Sequence, residues 1–154
     1  MWASVGLLIA FTYHDLEGKA GFVLTVVGAA YQIFIALLSI KYGSGGVSVL
    51  DRTCFALVVL TSLLWWATQS SFYPYVFAVI IDLFAVIPTF SKAYHHPKSE
   101  DLLAWTICMV GVFLSVLAIR DWSFTEALFP LYAFFVELTV VLLLLRGNLS
   151  LRSK

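Results

Sequence analysis

Two carboxylates stand where an apolar chain has least use for them. Asp82 lies inside "FAVIIDLFAVIP" and Glu137 inside "YAFFVELTVVLLLL". An acid at the centre of a bilayer costs about 2.5–3.5 kcal/mol on insertion scales, so it usually faces a bundle interior or a water-filled cavity. Two chemistries suit such groups. They can contact a polar solute or carry a coupling proton, and two that meet can share one proton and titrate as a pair. They can also be protonated donors that only hydrogen-bond neighbouring helices. Asp82 precedes Lys92 by ten residues and Glu137 precedes Arg146 by nine. At the helical rise both then sit about 14 Å from the same membrane surface, near the midplane. Ala78, Asp82, Ala85 and Thr89 fall on one helical stripe, and Glu126, Pro130, Ala133 and Glu137 on another. Both stripes are small and polar, which points them inward. Gln32 adds an amide on a third stripe, with Gly21, Thr25, Gly28 and Ser39.

Three prolines bear on these groups. Pro88 is expected near the end of its helix, where it removes one backbone bond and frees the carbonyl of Phe84. Pro130 does the same to the carbonyl of Glu126. A freed carbonyl beside a cavity is a solute ligand or a hinge, and a plain kink is the alternative. Pro74 falls in a first turn, where proline is ordinary.

The elements that must position these residues are membrane helices. Of 154 residues, 62% are hydrophobic and 12% charged, against about 25% charged in soluble domains; mean hydropathy is +0.97. No polar stretch is long enough for a soluble domain. A formal net charge of zero leaves no nucleic-acid footprint. Cys54 and Cys108 stand far apart in apolar runs, without metal-ligand spacing, and read as small buried residues. The first apolar run has no basic lead and no cleavage site, unlike a signal peptide. Apolar runs at roughly 1–13, 20–40, 52–69, 74–92, 102–119 and 125–145 predict an all-α membrane protein of about six transmembrane helices. The first is short for a span. In alternating topology Lys41, Arg52, Lys92, Lys98, Arg146, Arg152 and Lys154 share one side, and Lys19 and Arg120 the other. The positive-inside rule puts the richer side, with both termini, in the cytoplasm. Trp65, Trp66, Tyr73, Tyr75, Tyr94 and Trp122 stand near the expected ends, as in an interfacial belt. Ala104, Cys108, Gly111, Ser115 and Ala118 recur at helical spacing and predict close helix packing.

The stretch "PTFSKAYHHPKSEDLLAW", residues 88–105, resembles the PQ-loop pattern of SWEET and semiSWEET sugar transporters. There a Pro-Gln pair ends the first helix of a three-helix bundle, ahead of a basic position and a Lys-Ser-like turn. Here Thr89 replaces the glutamine. The stretch is also similar to a group of bacterial multi-pass proteins with a Pro-Thr…Lys…Pro…Glu signature. The resemblance implies two three-helix bundles joined by a linker helix: 1–40 a partial first bundle lacking its first helix, 52–69 the linker and 74–146 the second bundle. It also implies cytoplasmic motif loops, Pro88 as hinge and Thr89 as its altered neighbour. Sugar sites in the family use Trp and Asn. The only Asn here is Asn148, in the tail, so a sugar is not specifically indicated. Trp105 is a stacking wall or an interfacial anchor.

The expectation is a transporter or binding protein for a small polar solute in a bacterial cytoplasmic membrane. It needs no cofactor, and Asp82, Glu137, Gln32 and Trp105 are its site candidates. Pro88, Thr89 and Pro130 are its hinge candidates. The alternative is a non-catalytic auxiliary or assembly subunit of a membrane complex, and a homo-oligomer would complete a bundle short of a helix. An intramembrane aspartyl enzyme has no supporting motif here. A metal at His95, His96, Glu100 and Asp101 competes with an ordinary solvated loop.

Overall fold

A computed structural model describes residues 2–16, 21–42 and 49–152. Among them the regular elements are six α-helices and one 3-10 turn: α1 (Trp2–Asp15), α2 (Phe22–Tyr42), α3 (Val49–Thr68), α4 (Phe72–His95), the turn Pro97–Ser99, α5 (Leu102–Leu117) and α6 (Phe124–Arg152). This is the all-α membrane-type fold that the composition predicts. Four helices, α2, α3, α4 and α6, are long and apolar enough to cross a membrane. With 14 residues in α1 and 16 in α5, those two fall short of the ~20 of a full span.

The helix ends follow from local chemistry. Gln69 closes α3 in the left-handed region, at φ 53°, and its N–H donates to the Trp65 carbonyl (2.9 Å). Asp101 caps α5: its Oδ1 accepts from the N–H groups of Leu103 (2.8 Å) and Ala104 (3.1 Å), two donors that otherwise lack partners. Pro88 and Pro130 lie inside helices that continue through them.

The chain forms two compact units, Met1–Ala85 and Val86–Lys154. The division falls within α4, three residues before Pro88. In the first unit α1 packs on α2 and α3. Val5, Leu8, Ile9, Thr12 and Tyr13 are its buried residues, a stripe at the spacing of one helix face. The Thr12 hydroxyl returns to the Leu8 carbonyl (2.7 Å), and the Tyr13 hydroxyl accepts from the Gly21 N–H (2.9 Å). Tyr13 also meets Tyr75 of α4, ring centroids 5.7 Å apart. Ser71 ties the unit together: it donates to Asp15 Oδ2 (2.7 Å) and accepts from Trp65 Nε1 (3.0 Å).

In the second unit α5 and the 3-10 turn pack on α6. Ala93, Val140 and Leu144 form its core, with Phe90, Leu102, Trp105 and Leu143 against them. Gly147 lets α6 approach the turn, since a Cβ there would collide with the Pro97 ring. The α5 stripe of small residues does not pack as expected. Ala104, Cys108, Gly111 and Ala118 are exposed and Ser115 is half-buried, while Val112 and Ile119, on the flank of that stripe, are buried. Larger side chains win that contact because they bring more dispersion area; Phe113 reaches Phe134 of α6, centroids 5.6 Å apart. Cys54 is buried as expected, and Cys108 is not.

Two glycines should therefore respond oppositely to alanine. Gly147→Ala is expected to lower unfolding free energy by about 1–3 kcal/mol, the range for overpacking against a rigid neighbour. Gly111→Ala, with open space at its Cβ, should be neutral or stabilising by up to ~1 kcal/mol through helix propensity. Denaturant titration of the detergent-solubilised variants reads both.

Candidate functional site

The polar stripe of α4 lies on the covered side of its helix. Ala78 and Ala85 are buried, and Asp82 and Thr89 half-buried. Phe77, Ile80, Leu83, Phe84 and Ile87 are exposed around the rest of the helix, a lipid-facing surface for a chain in a bilayer. Asp82 is within electrostatic reach of Cys54 on α3. Pro88 is exposed; its ring stands on the outer surface.

Gln32 of α2 points at α1. Its side-chain amide fills the space that a Cβ on Gly6 would need. Its Oε1 is buried and has no hydrogen-bond partner among the described residues. Among the described residues of this unit Thr12, Thr25 and Thr61 are buried polar side chains. Thr12, Thr25 and Ser62 each donate to a carbonyl of their own helix, which satisfies the hydroxyl without an interhelical contact. Gln32 has no such recourse for its carbonyl oxygen, since an amide oxygen only accepts.

Glu137 of α6 is half-buried, its Oε2 fully so, and it is within electrostatic reach of Cys108 on α5. Pro130, two stripe positions earlier, is buried, with Ala133 half-buried between them. The two acids belong to different units: Asp82 to the first, Glu137 to the second.

Trp105 has a defined post. Its indole Nε1–H donates to Glu100 Oε2 (3.1 Å), while Glu100 Oε1 pairs with Lys92 Nζ (2.7 Å). One carboxylate thus joins the end of α4, the loop and the first turn of α5. Lys92 and Glu100, two residues of the stretch with the PQ-loop resemblance, thus form a structural tie with Trp105. Lys92 is half exposed, so the ion pair itself is worth little; the half-buried indole needs its acceptor more.

The same loop builds a cleft. A cavity of about 650 Å³ is lined by residues 94–99, Arg146 and Gly147. Arg146 lies over the Tyr94 ring at 4.2 Å and donates to its hydroxyl (3.2 Å). Ser99 folds its hydroxyl back onto the His96 carbonyl (2.7 Å), and His95 Nδ1 is 2.9 Å from the Ser91 carbonyl. Among the described residues no three of His, Cys, Asp and Glu gather to hold a metal ion. In the sequence Lys98 and Arg146 serve to orient the chain, Arg146 to gauge the depth of Glu137 and Lys98 as part of the Lys-Ser turn. Their convergence on one cleft needs the fold of the turn against α6.

Compared with protein-family models, curated proteins and solved structures, the chain matches none.

Removal of the tie should separate its two bonds. Glu100→Ala is expected to cost about 1–2 kcal/mol, from an orphaned indole N–H. Glu100→Gln keeps an acceptor and should recover most of that. Thermal midpoints, with tryptophan emission reporting exposure of the Trp105 indole, check both.

Proposed function

We propose that this chain is a helical membrane protein that binds, and by class transports, a small polar solute within its helical interior. The observation that carries the reading is Gln32, a buried amide oxygen without a hydrogen-bond partner among the described residues. Buried polar atoms are nearly always paired, and an orphan usually marks a missing water or ligand. Asp82, on the covered stripe of α4, is the group suited to proton coupling or to a solute hydroxyl or amine. Glu137 is its counterpart in the second unit, and Trp105 a wall near the loop. Pro88, with Thr89 beside it, is the hinge: the backbone bond it removes, to the carbonyl of Phe84, falls at the division between the compact units. Pro130 is a second bend. The resemblance of residues 88–105 favours a PQ-loop-like arrangement in a bacterial cytoplasmic membrane, and the distribution of Lys and Arg favours both termini inside.

A second reading, an auxiliary or assembly subunit, is favoured by the outward small-residue face of α5. Such faces accept a partner helix closely in lipid.

Thermal stability of purified wild type, Asp82→Asn and Gln32→Leu against sugars, vitamins, amino acids and nucleosides discriminates these readings. A solute that binds the native state raises the midpoint by mass action, by roughly 2–8 °C at saturating concentrations. Binding predicts such a rise for one solute class in wild type and its loss in Gln32→Leu. If no class shifts wild type and both variants are merely less stable, the solute reading fails. For the hinge, Pro88→Ala restores a helical bond; it should raise the midpoint while slowing solute uptake into proteoliposomes.

A further inference from the structure

The cleft between the 94–99 segment and the end of α6 has a chemistry that the solute reading does not use. We propose that it binds a phosphate group, presented by an anionic phospholipid headgroup or as free phosphate. Two permanent cations line it, Lys98 and Arg146, and among the described residues no carboxylate does. The nearest acids in sequence are engaged elsewhere: Glu100 by Lys92 and Trp105, and Asp101 by the first N–H groups of α5. Positive charge in the cleft is therefore not cancelled from within.

Arg146 is pre-arranged. Tyr94 holds the guanidinium from below, through its ring, and from the side, through its hydroxyl. That uses one of five N–H donors. No carboxylate pairs with Arg146 or with Lys98 among the described residues. A planar guanidinium with open donors matches two phosphate oxygens, and a flexible ammonium supplies the remaining charge. The carbonyl end of α4 points to this region and opposes an anion, but a partial helix charge of about one half is outweighed by two full cations. Gly147 keeps the cleft formed, because any side chain there would push Pro97 and its turn away. The volume, about 650 Å³, lies within the usual range for small-ligand sites. In the alternating topology expected from the sequence, Lys98 and Arg146 fall on the Lys- and Arg-rich side, where anionic headgroups would be met.

The test uses the full chain in an uncharged detergent, titrated with phosphatidylglycerol, phosphatidylcholine or inorganic phosphate while the thermal midpoint is followed. Phosphatidylglycerol is expected to raise the midpoint and phosphatidylcholine not to. A matching rise with inorganic phosphate identifies free phosphate as sufficient; a rise with the lipid alone identifies the headgroup. Arg146→Gln should weaken the apparent affinity about tenfold or more, the worth of a charged hydrogen bond. That variant also releases Tyr94. Lys98→Gln carries the test separately, with an expected loss of about fivefold and no change in unliganded stability. Lys41→Gln, a cation on the same expected side, is the control and should change nothing. Equal response to both lipids with none to phosphate, no response to any probe, or equal loss in Lys41→Gln and Lys98→Gln would overturn the proposal.

Discussion

The structure depends on one constraint: a backbone placed in hydrocarbon must satisfy its own hydrogen bonds. That demand makes every regular element among the described residues helical. It also explains how the hydroxyls behave. Thr12, Thr25, Ser62, Thr106 and Thr139 each return to a carbonyl of their own helix, which leaves apolar contact to set which faces meet. Polar atoms that cannot close such a loop, the Gln32 amide above all, stand out against this background.

Where the helices must be joined, tryptophan does it with a polar partner. Trp65 reaches Ser71, which in turn binds Asp15; Trp105 reaches Glu100, which in turn binds Lys92. Each indole is half-buried and each partner, Ser71 or Glu100, stands in a connection between helices. An amphipathic ring suits this position, with its apolar body against helices and its N–H toward the polar end. Trp65, one residue of the expected interfacial belt, is thus also a joint.

The 92–101 connection shows how a loop becomes a site. Its acids are consumed in holding helices: Glu100 in the tie and Asp101 in the cap. Its Lys98 is left facing the cleft beside Arg146. The acid–base balance of the sequence there is nearly even, while that of the cleft is not. Pro97 gives the turn its shape, and Gly147 permits α6 to close on it.

Helix number, helix type and the approximate ends were legible in the residues, because hydropathy over about 20 positions and polar breaks report the bilayer directly. The covered side of α4 was legible too, since Ala78, Asp82 and Ala85 recur at helical spacing with bulky residues around them. The α5 stripe was misread for a physical reason. Small residues permit close packing but do not compel it, and the larger face of α5 gained more by meeting α6. Gln32 was visible as a polar residue on a small stripe, yet its stranded oxygen required the position of Gly6 on another helix. The use of Trp105 and Glu100 as a tie, and the meeting of Lys98 with Arg146, join positions up to nearly fifty residues apart. Periodicity acts only within a helix, so those pairings were decided when the turn folded against α6.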